Sequence, residues 1–319
     1  MSATTDFVAA QAVNRRNTLV LLVVLTILAA LTGYTIGWLL EGEMTDDVPL
    51  LSRIGLLAAA AMAAASLVWS MVSLAFGDRM VLAMADAKEI EKADAPQLYN
   101  VVEEMSLAAG VPMPKVMILE TDALNAFATG TRVGHGTVVV TRGLLDKMSR
   151  DELQGVVAHE MAHLANLDTR YMVMVAVTVG LIALVCDMLL RTMSWGGFGR
   201  SSRSSDDKKG SGGGLLIVLL IVVAILAPIA AKLVQMAVSR QREYLADATS
   251  VQFTRNPNGL ISALGKLAEA AAPFPGVSRA TQHLFIVNPV QTFTAASSAL
   301  LATHPDVADR IARLRNLGA

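Results

Sequence analysis

Four stretches of this chain, roughly residues 18–40, 54–76, 171–190 and 215–237, are long and apolar enough to cross a bilayer, which takes about 20 apolar residues in a helix. Nothing else in the sequence restricts the fold as strongly, because in hydrocarbon every backbone N–H and C=O must be satisfied internally. An integral membrane protein is expected, and composition agrees: 54% of the 319 residues are hydrophobic and 17% charged. The first stretch is too long, and lies too far along the chain, for a cleaved signal peptide. Its flank NRRN supplies Arg15 and Arg16, so it reads as an uncleaved anchor. The net charge of −1, with no basic stripe, argues against a nucleic-acid partner. One cysteine, Cys186 in the third stretch, allows neither an internal disulfide nor a cysteine metal site.

Charge orients the first pair of helices. The loop between them carries Glu41, Glu43, Asp46 and Asp47 against Arg53, whereas the outer flanks carry Arg15, Arg16, Arg79, Lys88 and Lys92. Positive flanks stay inside, so the N-terminus and the segment after the second helix are expected on the cytoplasmic side. Gly33 and Gly37 stand at small-xxx-small spacing, which allows close helix packing within a bundle. The Gly/Ser-rich segment between the third and fourth stretches holds Arg191, Arg200, Arg203, Lys208 and Lys209 against Asp206 and Asp207. Simple alternation would put that basic loop outside, so either the charge rule fails there or the third and fourth stretches do not fully span. Asp187, close to Arg191 near the end of the third stretch, reads as an acid reaching for the surface.

Residues 78–170 read as water-exposed. DAPQLYNVVEEMSLAAG has helical spacing and ends at Gly110, and the runs KVMILE, NAFAT and TVVVT are short strands separated by turn residues. Ser149 followed by Glu152 is a capping box opening a helix. That helix contains VVAHEMAHL, in which His159 and His163 stand four apart with Glu160 between them. Residues i and i+4 share a helix face, so both imidazoles can reach one ion. Glu160, rotated by about 100°, can instead serve a water held by that ion, the arrangement that metal-assisted hydrolysis requires.

A catalytic zinc takes three protein ligands and keeps one open position. A third histidine six residues on is absent, since Asn166 and Thr169 occupy the positions where glycine and histidine would be needed. Downstream, Glu243 in SRQREYLADA is the sole glutamate between residues 161 and 268, and Asp247 follows on the same helical face. Glu243 is therefore the expected third ligand and Asp247 the expected partner of a ligating histidine. One ion shared by His163 and Glu243 would require the intervening apolar stretches to return as a hairpin. Asp168 is expected to cap a helix or pair with an arginine such as Arg242. His304 either stabilises an oxyanion or sits at the surface before a helix-starting proline. His135 and His283 have no spacing argument and read as structural or exposed.

The set HEMAH, REYLAD, NAFATG and THPDVADRIARLR, over nearly the whole chain, resembles the membrane zinc metalloproteases related to the heat-shock protease HtpX. These share a superfamily with the prenylated-protein (CAAX) proteases. The resemblance implies an endopeptidase of the bacterial inner membrane, facing the cytoplasm, that cleaves misfolded or damaged membrane proteins. It also implies that residues 124–130 form the edge strand along which substrate lies, with Asn125, Ala126 and Phe127 as contacts. The expected fold is an α-helical membrane protein with a mainly α (α+β) zincin-type peptidase domain carrying a small β-sheet. Residues 1–77 would form a two-helix anchor, 78–170 and 239–319 the peptidase, and 171–238 the hairpin. His159, His163 and Glu243 would hold one Zn2+, Glu160 would be the base, and Asp247 and His304 would assist. The expected partners are the bilayer and membrane-protein substrates, with a homo-oligomer left open and no nucleic acid.

Overall fold

The structure, a computed structural model, describes residues 7–45, 51–132, 134–178, 240–270 and 305–317. The segments 179–239 and 271–304 lie outside these. With them fall most of the expected hairpin, the fourth apolar stretch, Cys186, Asp187, His283 and His304.

Among the described residues, two helices are long and apolar enough to cross a membrane, α1 (Phe7–Thr45) and α2 (Arg53–Ala85). Their outward positions carry large apolar side chains, among them Leu19, Ile27, Leu31, Leu57 and Met71, the pattern of a surface solvated by lipid rather than water. Gly33 and Gly37 explain how closely the two helices approach. A Cβ on Gly33 would stand 2.5 Å from the Ala58 carbonyl oxygen, and one on Gly37 2.6 Å from that of Ile54. Near this end the Ser52 hydroxyl donates to the Glu41 carboxylate.

The described residues fall into two compact units, one including Leu19–Ser73 and the other gathering Met1–Thr18, Leu74–Val177 and Val234–Ala319. The second unit thus takes in the start of α1 as well as the stretches expected to carry the peptidase. Its elements follow in order: β1 (Lys88–Glu89), α3 (Pro96–Ala109), β2 (Lys115–Leu119), β3 (Ala126–Thr129), β4 (Thr137–Thr141), α4 (Arg142–Lys147) and α5 (Arg150–Ala165). Residues 168–178 are helical. Then come α6 (Arg240–Thr254), α7 (Pro257–Glu269) and α8 (Val307–Leu317).

Local chemistry sets these boundaries. Proline at the start suits α3, because its missing N–H is one the first turn leaves unpaired anyway. Leu98, Val101, Val102 and Met105 form its buried stripe. Gly110, at φ 64°, ends it in the left-handed conformation glycine tolerates. At α5 both halves of the capping box form: Ser149 accepts from the Glu152 N–H, and Glu152 from the Ser149 N–H at 2.7 Å. The four strands lie in the order β1-β2-β4-β3, with β2 parallel to β4 and the other pairs antiparallel. β3 is therefore an edge.

Helix α5 is the centre of this unit and packs against α3, α6, α7 and β3. From Leu153 to Ala165 almost every side chain is buried, so α5 shows no amphipathic stripe, as befits a helix enclosed on all sides. Gly155 lets α7 approach: a Cβ there would lie 2.6 Å from the Leu260 nitrogen. On another side Ser250 of α6 donates to the Gly155 carbonyl at 2.9 Å. These contacts fix which residues of α6 and α8 face the HEMAH turn.

Candidate active site

His159, Glu160 and His163 are buried, at 1%, 3% and 5% exposure. Packing of α6 on α5 brings Glu243, 2% exposed, against them. One donor atom from each of His159, His163 and Glu243 lies within 4.8 Å of the others. The two Nε2 atoms are 3.3 Å apart, and the Glu243 oxygens stand 3.6 Å from His159 Nε2 and 3.7 Å from His163 Nε2.

These distances allow a physical test of fit. Ligands about 2.0–2.1 Å from a tetrahedral zinc stand about 3.3–3.4 Å from one another, close to the spacing found. Hydrogen bonding points the same way. His159 Nδ1 lies 3.0 Å from Asp247 Oδ1, and His163 Nδ1 lies 2.9 Å from Asp168 Oδ2. Each Nδ1 therefore faces a carboxylate, which leaves the two Nε2 atoms facing each other, where a cation can take the place of a proton. Glu243 and Asp247 are buried beside Arg310, which among the described residues is the one lysine or arginine that is fully buried. The donor set fits a divalent metal.

The surrounding groups are shifted accordingly. Burial opposes a charge on His159, but Asp247 and then Glu243 outweigh it and raise its pKa to about 9. The carboxylates that favour a proton there favour a metal cation equally. Burial raises the Glu160 carboxyl above its ordinary value, against the downward pull of His159 and His163. The Ala128 N–H also holds that carboxylate.

Strand β3 lies beside this group. The Asn125 carbonyl accepts from the Thr141 N–H at 3.0 Å and its own N–H donates to Thr141 Oγ1 at 2.9 Å, so Asn125 turns its backbone toward β4. By alternation Phe127 does likewise, whereas Ala126 and Ala128 face away from β4. The Ala128 bond to Glu160 agrees. The Asn125 side chain, expected to reach substrate, accepts from the Ala126 N–H at 3.1 Å. Ala126 and Phe127 are both buried. The backbone groups turned away from β4 are thus those of Ala126 and Ala128, with their N–H groups taken by Asn125 Oδ1 and Glu160 and their carbonyls facing outward, a distinction that only the strand register reveals.

Two further partners were not foreseen. Arg310, from α8, is 1% exposed and grips Asp247 with both arms, Nε to Oδ2 at 2.9 Å and Nη2 to Oδ1 at 2.7 Å. Its Nη1 is 3.7 Å from Glu243 Oε2. Burial works against its charge, but Asp247 and Glu243 hold the guanidinium well above its ordinary value. In turn Arg310 keeps Asp247 ionised despite burial. The one signal in the sequence was an arginine among apolar residues in DVADRIARLR. Asp168 is the second, and here the expectation is corrected: its oxygens go to His163 and to the amide of Asn14. Arg242 lies over the Tyr171 ring, 4.8 Å from its centroid. His135 is exposed.

Residues 92–318 match the model of peptidase family M48. A protease HtpX homolog of Streptococcus agalactiae is 40% identical over 305 residues, covering 95% of this chain and 97% of that one. One of Listeria innocua is 41% identical over 310 residues, covering 96% and 98%. Among solved structures, Ste24p of S. mikatae aligns with a TM-score of 0.48 at 15% identity, over 88% of this chain and 61% of that one.

Proposed function

This chain belongs to peptidase family M48, and from that premise we propose that it is a zinc metalloendopeptidase of membrane protein quality control. In this proposal His159 and His163, through Nε2, and Glu243, through its carboxylate, hold one Zn2+. The observation that carries it is the near-tetrahedral spacing of these three donors beside a buried carboxylate that is not one of them. When bound, zinc would supply Lewis acidity and lower the pKa of a water to about 7.

The chain's own groups account for the remainder. Glu160 takes a proton from the attacking water and later delivers it to the leaving amine. Its burial suits this task, because a carboxyl held above its ordinary value accepts and keeps a proton more readily before returning it. The Ala128 N–H fixes the carboxylate on the side where substrate would lie. A substrate lying along β3 would meet the outward carbonyls of Ala126 and Ala128 and bring its scissile carbonyl past Glu160. Asp247, clamped by Arg310, keeps His159 in the tautomer that offers Nε2. His304 remains the proposed oxyanion donor.

Two helices able to cross a membrane support a membrane-bound enzyme. The flanking Arg15, Arg16 and Arg79 favour placing the peptidase on the cytoplasmic side of a bacterial inner membrane. Substrates of that location are misfolded or damaged membrane proteins. The test pairs zinc content with cleavage of an unfolded protein in detergent, for wild type and Glu160→Gln. About one zinc in each, with cleavage by wild type alone, is the expected result. Absence of zinc from both would overturn the assignment, and cleavage by Glu160→Gln at the wild-type rate would remove Glu160 as the base.

A further inference from the structure

We propose that Asn14, near the start of the first membrane helix, is a positioning residue of the metal site, acting through Asp168 on His163. The proposal rests on the zinc reading above. A continuous line of hydrogen bonds carries it. His163 Nδ1 lies 2.9 Å from Asp168 Oδ2, and Asp168 Oδ1 receives the Asn14 amide at 2.6 Å. The three residues are 5%, 1% and 5% exposed. A carboxyl group so deeply buried needs a hydrogen-bond partner on each oxygen. One is supplied by the candidate ligand and the other by α1.

The local backbone shows why α1 is needed. Helix α5 ends at Asn166, and Leu167 turns the chain at φ 59°, a left-handed conformation costly for a residue with a side chain. That turn returns Asp168 alongside His163. The last carbonyls of a helix have no partner within it, and here α1 supplies partners. Asn14 gives its second amide hydrogen to the Asn166 carbonyl at 2.9 Å. Gln11, three residues earlier, donates to that of Ala165 at 2.7 Å. Thr169 anchors the next position by donating to the Gly130 carbonyl at 2.9 Å. Among the described residues, Asn14 is the one side-chain donor that touches both the turn and the carboxylate. Because Gln11 and Asn14 lie at the foot of the span Gln11–Trp38, the orientation of His163 depends on that helix end being seated.

The experiment measures zinc affinity by competition with a chromogenic chelator, on the full chain in detergent. Removing a partner that orients a metal ligand typically weakens affinity about 10- to 100-fold. Asp168→Asn is expected in that range, and Asn14→Ala, one step further out, at about tenfold. Asn14→Ala added to Asp168→Asn should weaken it no further, because the route is already cut. Gln11→Ala, which removes a bond to the same turn without touching Asp168, should stay within about twofold of wild type. A merely structural role would lower thermal stability in the zinc-free protein and leave affinity unchanged. If Asn14→Ala does not fold, Asn14→Ser, which keeps a donor but loses its reach, carries the same expectation. Wild-type affinity in the Asn14 variant, or an undiminished effect in the Asp168→Asn background, overturns the proposal alone. A wild type that binds no zinc overturns the zinc reading and this proposal with it.

Discussion

Replacing Arg310 with methionine tests whether the buried charge cluster is held together as described. Methionine keeps the length and apolar contacts of the stem but removes the guanidinium. Asp247 then loses two charge-assisted bonds, at 2.7 and 2.9 Å, while remaining about 4% exposed, and Glu243 loses a positive neighbour 3.7 Å away. Breaking a buried ion pair by deleting one partner costs about 3–5 kcal/mol, because the other charge stays buried and uncompensated. For a folding unit of this size, that lowers the apparent Tm by roughly 6–20 °C. The measurement is thermal unfolding in detergent with zinc chelated, so that metal binding does not enter. Asp247→Asn, which neutralises the partner, provides the control, and the double variant closes the cycle. If the pair is coupled as drawn, the double variant loses at least about 2 kcal/mol less than the sum of the singles. Simple addition of the two losses, or an Arg310→Met protein as stable as wild type, would refute the argument.

Other perturbations follow from the same packing. Burial pushes the Glu152 carboxyl up, but Lys266, Ser262 and the Ser149 N–H outweigh it and bring its pKa down to about 2. A lowered pKa contributes stability above the ordinary value near 4.5 that is lost as pH falls toward 2. Glu152→Gln should therefore cost about 2 kcal/mol near neutral pH, discounted because Lys266 is 42% exposed, and the gap from wild type should narrow below about pH 4.5 and be largely closed by about pH 2. A gap that persists unchanged at about pH 2 would contradict this. Gly155→Ala should lose about 1–3 kcal/mol despite alanine's helix propensity, because its methyl would meet the α7 backbone. Gly265→Ala, whose methyl would meet nothing within 4 Å, should gain up to about 1 kcal/mol. Thermal unfolding reads both, and a more stable Gly155→Ala would show that the close approach of α5 and α7 is mistaken.

Features that depend on neighbours along the chain are legible in the amino-acid sequence. The first two apolar stretches became α1 and α2, the Ser149–Glu152 box opened α5, Gly110 closed α3, and the three short runs became β2, β3 and β4. The four-residue spacing that puts His159 and His163 on one helix face is of the same kind. Missed were β1, only two residues long, α4, whose six residues carry too little pattern to stand out, and α7, although its Pro257 start and apolar stripe are local signals. α5 itself shows how a pattern can mislead, since a helix buried on every side has no stripe to reveal which face meets which neighbour.

The sequence by itself determined helix and strand positions, the two histidines and their glutamate, and a short choice of carboxylates to complete the set. Helical periodicity and capping act over a few residues, so composition and spacing suffice to read them. Tertiary structure alone decided that Arg310 clamps Asp247 across 63 residues, and that Asn14 reaches Asp168 across 154. It also decided that Ala126 and Ala128, rather than Asn125, turn their backbone away from β4. Such pairings leave no period in the sequence. They arise where separate elements dock, because a buried charge must find its partner wherever packing brings one within reach.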